Sequence, residues 1–167
     1  MAVVVPYEVT GASTEVTVTY KGHSSAPATL ALADSAPGLF TGDSTGQGQA
    51  AAVNQSGSIN SASPPVPVGG IISLFAAGEG QTSAIGVYGK PAATPLPSPV
   101  VPVSVTIGGV TVNDLRYIGG APGEVAGVLQ INAVIPPEVT LGGTVPVVIR
   151  VGSATSQEGV TIAVSAN

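Results

Sequence analysis

Few residues in this chain have a type and spacing suited to chemistry, and the most suggestive are Gly42-Asp43-Ser44-Thr45-Gly46. This is the G-x-S-x-G form that exposes a serine nucleophile on a sharp strand-to-helix turn. Such a role needs an apolar strand before Ser44, a helix after it and an imidazole within reach. The motif instead leads into the polar run Gln47–Gln55, and the chain has a single histidine, His23, between Gly22 and Ser24. The pattern therefore reads as a polar loop, and Ser44 is not expected to be catalytic. His23 reads as a solvated residue at a turn tip, because a zinc site needs three or four ligands and no cysteine or second histidine exists to join it.

Asp34, Asp43, Glu79 and Asp114 are oxygen ligands of the kind calcium takes, and calcium is kept as a minor expectation because no D-x-[DN]-x-[DN]-G loop spaces them. Glu8 and Glu138 follow Pro6 and Pro136 at the same distance, so they read as one structural position used twice, accepting backbone N–H groups at a turn, and not as an acid/base pair. The pair at Glu124 and Glu138 is likewise unsupported by spacing. Gly78-Glu79-Gly80-Gln81 lacks the third glycine and the helix of a dinucleotide fingerprint and reads as a bulged strand end. Lys21 and Lys90 are amine candidates for an intramolecular isopeptide bond, but each sits at a turn or before a proline where exposure is expected. A sugar platform would need aromatic faces. The chain has no Trp, four tyrosines (Tyr7, Tyr20, Tyr88, Tyr117) and two phenylalanines, Phe40 and Phe75, which are expected in the core. No catalytic, cofactor-binding or metal-ligating residue is assigned.

The elements that would have to position these residues are strands. Of 167 residues, 44% are hydrophobic and only 8% charged, with 23 Gly and 15 Pro, and Val and Thr dominate the apolar runs. Such a composition disfavours helices and favours short strands joined by turns. The formal net charge of −5, with Lys21, Lys90, Arg116 and Arg150 the only basic residues besides His23, speaks against nucleic acid and anionic membrane as partners. Met1 and the residues after it lack a basic n-region, and Pro6 cuts the apolar run, so the opening reads as neither signal peptide nor membrane span.

An internal echo organises the chain. "VVVPYEVT" at Val3–Thr10 returns as "AVIPPEVT" at Ala133–Thr140, a shift of 130 residues that also sets Val18 on Val148 and Gly22 on Gly152. After a two-residue gap, "ATLAL" at Ala28–Leu32 meets "VTIAV" at Val160–Val164. Three consecutive strands are thus expected twice. Residues 1–35 read as the last three strands of an incomplete immunoglobulin-like module. Residues 36–68 read as a hairpin turning at Gln55–Gly57 followed by a Pro-rich connector, and residues 69–167 as a complete immunoglobulin-like β-sandwich of about six strands.

The runs "APGLFTGDSTGQGQAAAVNQSGSINSASPP", "LFAAGEGQTS" and "PVSVTIGG…LRYIGGAPGEVAGVLQINAVIPPEV…PVVIRVG…SQEGVTIAV" resemble the Solibacter-type C-terminal domain of acidobacterial proteins. The last part of the chain is also similar to the IPT/TIG immunoglobulin-like fold. The resemblance implies a β-sandwich and export in a bacterial secreted or surface protein, and it brings no catalytic residues with it. The expected function is a non-enzymatic extracellular structural, adhesion or C-terminal attachment module, its partner a protein. Two alternatives stand beside it: a self-assembling fibre or pilus-like subunit completed by strand addition, and a carbohydrate-binding module.

Overall fold

The computed structural model describes residues 5–87 and 89–167; Val3 of the opening motif and Tyr88 lie outside them. The described residues form an all-β structure without a helix. The strands are β1 (Ser13–Val16), β2 (Thr19–Tyr20), β3 (His23–Ser24), β4 (Ala28–Ala31), β5 (Gly38–Leu39), β6 (Gly48–Gln49), β7 (Ala52–Asn54) and β8 (Val66–Pro67). They continue with β9 (Ile71–Ala77), β10 (Val103–Ile107), β11 (Val110–Thr111), β12 (Leu115–Gly120), β13 (Leu129–Val134), β14 (Gly142–Val151), β15 (Ala154–Thr155) and β16 (Val160–Ser165).

Two sheets make a sandwich. The first runs β11-β10-β14-β16-β6, with β15 beside β14 and β8 beside β16; the second runs β12-β13-β9-β5, with β7 also on β9. Period-two patterning decides which side of each strand is inside. In β9, Ile72, Leu74 and Ala76 are buried while Ile71, Ser73, Phe75 and Ala77 turn outward. In β13, Leu129, Ile131 and Ala133 are the buried set. Val105, Ile107, Val145, Val147, Ile149, Val151, Val160, Ile162 and Val164 face them from the first sheet. Each such side chain contributes about 1.5–3 kcal/mol by leaving water.

The buried hydrophobic side chains are all aliphatic. Phe40 and Phe75, expected in the core, are not there: Phe40 is exposed and Phe75 sits half-buried on the outward face of β9, since its even-numbered neighbours take the inner positions.

The expected strands from Ile71 onward all form. Residues 36–68 differ from expectation, because they are built into both sheets and do not connect to a sandwich that begins later. The hairpin at Gly57 is present, with Asn54 N–H donating to the Ser58 carbonyl, but β5 and β7 pair with β9, and β6 and β8 pair in parallel with β16. The "connector" Val66–Pro67 is an edge strand whose Val66 is fully buried, the one setting in a sheet that tolerates its prolines.

One polar side chain joins these pieces. β16 pairs with β6 at Val160–Thr161 and with β8 at Val164–Ser165, which leaves Ala163 without a strand partner on that side. Asn60, fully buried, fills the gap. Its Oδ1 accepts from Ala163 N–H (2.8 Å) and Gln49 Nε2 (2.9 Å), and its Nδ2 donates to the Ala163 carbonyl and Asn54 Oδ1 (both 2.9 Å). Across the sandwich, Gln157 grips Leu39 in the same peptide-like manner, accepting from its N–H and donating to its carbonyl.

β1–β4 lie apart from both sheets as two short antiparallel pairs of one hairpin, β1 with β4 and β2 with β3.

Candidate functional site

The Ser44 loop is a self-contained turn. Asp43 Oδ1 accepts from Thr41 Oγ1 and from the backbone and hydroxyl of Thr45, Gly46 N–H donates to Thr41 Oγ1, and Ser44 N–H closes a turn onto the Thr41 carbonyl. Ser44 has a positive φ of 60°, which the loop's own hydrogen bonds hold in place. Thr45 bonding also holds the Asp43 carboxyl below its ordinary range. No hydrogen bond joins Ser44 to His23, which is exposed in β3 opposite Tyr20.

The four carboxylates considered for calcium are dispersed. Asp34 is exposed before β5, Asp43 is committed to its turn, Asp114 pairs with Arg116 at 2.7 Å on the surface, and Glu79 is buried. Among the described residues, no three His, Asp or Glu side chains gather as metal ligands. Lys21 is exposed at the β2–β3 turn, over the ring of Tyr20, and Lys90 is exposed. Glu8 and Glu138 occupy the same turn twice, but the backbone closes it: Val9 N–H donates to the Pro6 carbonyl and Val139 N–H to the Pro136 carbonyl, both at 3.3 Å, and both glutamates are exposed to solvent. Glu124 is exposed in a loop.

Glu79 is the unusual carboxyl. Only 2% exposed, it receives the Tyr7 hydroxyl on Oε1 at 3.4 Å, while Oε2 is buried and accepts nothing among the described residues. Burial pushes its carboxyl up to about 7, opposed by the Tyr7 hydrogen bond. Burial raises Tyr7 and Tyr117 as well, and the Glu79 charge adds to both. The glycines around it admit a neighbouring chain. A Cβ on Gly78 would lie 1.9 Å from the Ala36 carbonyl oxygen, and one on Gly80 2.0 Å from that of Asp34. "GEG" is therefore a close-approach strand end that seats residues 34–36, where Ala36 N–H donates back to the Gly78 carbonyl. The burial of Glu79 is not expected from its sequence neighbourhood, in which the flanking glycines are the one signal of close approach.

The echo is the feature with most structural content. Before the hairpins the shift of 130 holds: Leu32 N–H donates to the Ala12 carbonyl, and Val164 pairs with Gly142. β14 then carries a bulge between Gly142 and Val145, one extra residue, and from there Thr14↔Leu30 matches Val145↔Ile162, and Glu15↔Thr29 matches Pro146↔Thr161. Nearer the turn, Thr19↔Ser24 and Tyr20↔His23 match Arg150↔Thr155 and Val151↔Ala154. Even the irregularity is shared. Ser25 bonds Val18 through its N–H (2.9 Å) and its hydroxyl (3.1 Å), and Ser156 does the same to Ile149 (2.8 and 3.1 Å).

The sequence alignment that set Val18 on Val148 and Gly22 on Gly152 is thus corrected to Val18 on Ile149, because a one-residue bulge flips every later side chain to the other face. The corrected frame lays Val16, Val18, Tyr20, Leu30 and Leu32 on Val147, Ile149, Val151, Ile162 and Val164. The second set forms one wall of the core. In the first set Val16 is 38%, Val18 41%, Leu30 51% and Tyr20 70% exposed.

No protein-family model matches the chain, and no curated protein and no solved structure is significantly similar to it.

Proposed function

We propose that this chain is a non-enzymatic structural module of a bacterial extracellular or cell-surface protein, of the IPT/TIG immunoglobulin-like kind, and that its N-terminal hairpin is the part that joins it to another β-layer. The observation that carries this is the bare apolar face of β1–β4. Its residue-for-residue counterpart, β14–β16, is covered by the Ile72, Leu74, Leu129 and Ile131 face of the second sheet. A hairpin of this form is built for sheet-on-sheet packing, and alone it is marginal in water. The polar, weakly charged exterior and the aliphatic core suit a spacer or attachment role, with a protein as partner.

A second reading, self-assembly into a fibre, is favoured by one further feature: among the described residues the two-stranded hairpin leaves both outer edges of β1 and β4 unpaired, open to strand addition. Light scattering on a size-exclusion column, over a hundredfold range of concentration, separates the two. A spacer elutes as a monomer throughout and binds a hydrophobic dye through the hairpin; a fibre subunit grows in mass with concentration, and replacing Val18 with Glu stops the growth. A monomer that binds no dye leaves the hairpin face without a partner to seek and removes the support for both.

A further inference from the structure

The two copies of the turn before the hairpins differ at one instructive position: "PYEVT" carries Tyr7 where "PPEVT" carries Pro137. Pro137 is exposed, whereas Tyr7 is half-buried against the segment that follows β9. Its hydroxyl meets Glu79 Oε1, its carbonyl accepts from Gln81 Nε2, and its ring lies against Gly86, where a Cβ would come within 3.2 Å of both the ring edge and the hydroxyl. The Ala126 side chain crowds the same position, at 2.6 Å. The contact therefore joins the turn that leads into β1 to the segment after β9, and it places a buried, half-satisfied carboxyl under a tyrosine.

We infer that Tyr7 and Glu79 form a proton-dependent clasp that holds the N-terminal turn, and the hairpin it carries, against the sandwich, and that ionisation of Glu79 loosens it. With Tyr7 in place, Oε2 is buried with no partner among the described residues, a tolerable state for a neutral carboxyl and a costly one for a carboxylate. Lifting Tyr7 admits water to the charge. The Tyr7 hydrogen bond favours the ionised form, but burial outweighs it. The groups that face Glu79 are Tyr7 from the turn and Tyr117 from β12, whose hydroxyl donates to the Gly120 carbonyl. Asp34, Lys90 and Glu124, from the neighbouring segments, have exposed side chains. The clasped state binds the proton more tightly than the open one, so rising pH favours opening as it climbs towards about 7, the clasped value, and no further above that.

The test uses proton NMR of the whole chain, with the ring-current shift of the Gly86 α-protons reporting Tyr7 seating and residual dipolar couplings reporting the hairpin's orientation. Between pH 5 and 7.5 the clasped-to-open ratio is expected to fall, by about tenfold for each unit by which opening lowers the Glu79 value. Glu79→Gln is expected to stay clasped across the range, and His23→Gln to titrate as the parent does. Should Glu79→Gln fold poorly, Tyr7→Leu serves instead, removing the pH dependence of the couplings. A Gly86 signal that is flat with pH in the parent chain, or a transition that survives in Glu79→Gln or Tyr7→Leu, or one that vanishes in His23→Gln, overturns the clasp.

Discussion

At the scale of single residues, the side chains that matter most in this molecule are amides and hydroxyls that stand in for missing backbone. Asn60 is the clearest case, because it supplies both halves of a peptide group to Ala163 where two short parallel strands leave β16 unpaired. Its removal strands the Ala163 N–H and carbonyl in the interior, while the part-buried Gln49 amide keeps its bond to the residue 60 backbone carbonyl. A buried polar group left unsatisfied costs about 1–3 kcal/mol. Asn60→Ala is therefore expected to lower the unfolding free energy by about 2–4 kcal/mol in a urea titration, with Asn60→Asp little better because a carboxylate cannot donate to the Ala163 carbonyl. A loss below about 1 kcal/mol would show that water replaces the amide. This residue is not legible in the sequence: "SIN" reads as the return of a hairpin, and nothing in one sequence marks which asparagine fills a gap between strands distant along the chain. Ser44 shows the converse, since the polar run behind it argues against its apparent motif, and the structure accounts for the spacing as a turn knotted by Asp43 and Thr45.

At the scale of elements, the strands from Ile71 onward are legible because alternation of Val, Ile and Leu with smaller or polar residues is a period-two signal that survives without an alignment. The segment 36–68 is not, because β5, β6, β7 and β8 are two or three residues long and too short to show a period; their assignment comes from partners far away in sequence. The echo is legible as a repeat but misplaced by one residue, since the bulge in β14 leaves no mark in composition. The corrected pairing supplies a controlled comparison, with one hairpin drawn twice, once buried and once bare. Ser25→Ala and Ser156→Ala each delete the same hydroxyl acceptor, for Val18 N–H and Ile149 N–H respectively. The Val18 amide can turn to water and the Ile149 amide cannot. Thermal unfolding is expected to show a drop of several degrees for Ser156→Ala and under about one degree for Ser25→Ala, a cost of about 1–3 kcal/mol at the buried site alone. Equal effects would mean that the bare face is covered in solution.

At the scale of the whole molecule, stability against pH is set by two carboxyls displaced in opposite directions. Asp43 sits below its ordinary value of 3.8, so the support it gives is present above that pH and lost as acid is added. The group is exposed, and its effect is small. Glu79 sits above its ordinary value of 4.5, at about 7, so the folded chain holds a proton that the unfolded chain releases. Stability then declines as pH rises from about 4.5 to 7 and levels off beyond. The combined profile has its maximum on the acid side, at about pH 4–5, unlike the neutral optimum of proteins whose carboxylates are mostly paired. The fall from that maximum to pH 8 is expected to be at most on the order of 2–3 kcal/mol, from about 1.4 kcal/mol for each unit of displacement, and opening of the Tyr7 clasp shortens it by relieving the buried charge. Glu79→Gln is expected to flatten the descending limb and leave the acid limb unchanged, which separates the buried carboxyl from general charge repulsion in a chain of net charge −5. Repulsion among surface carboxylates is screened by salt, whereas the cost of burying one is not. The descending limb is therefore expected to persist in roughly 0.5 M sodium chloride, and its disappearance there would assign it to the surface.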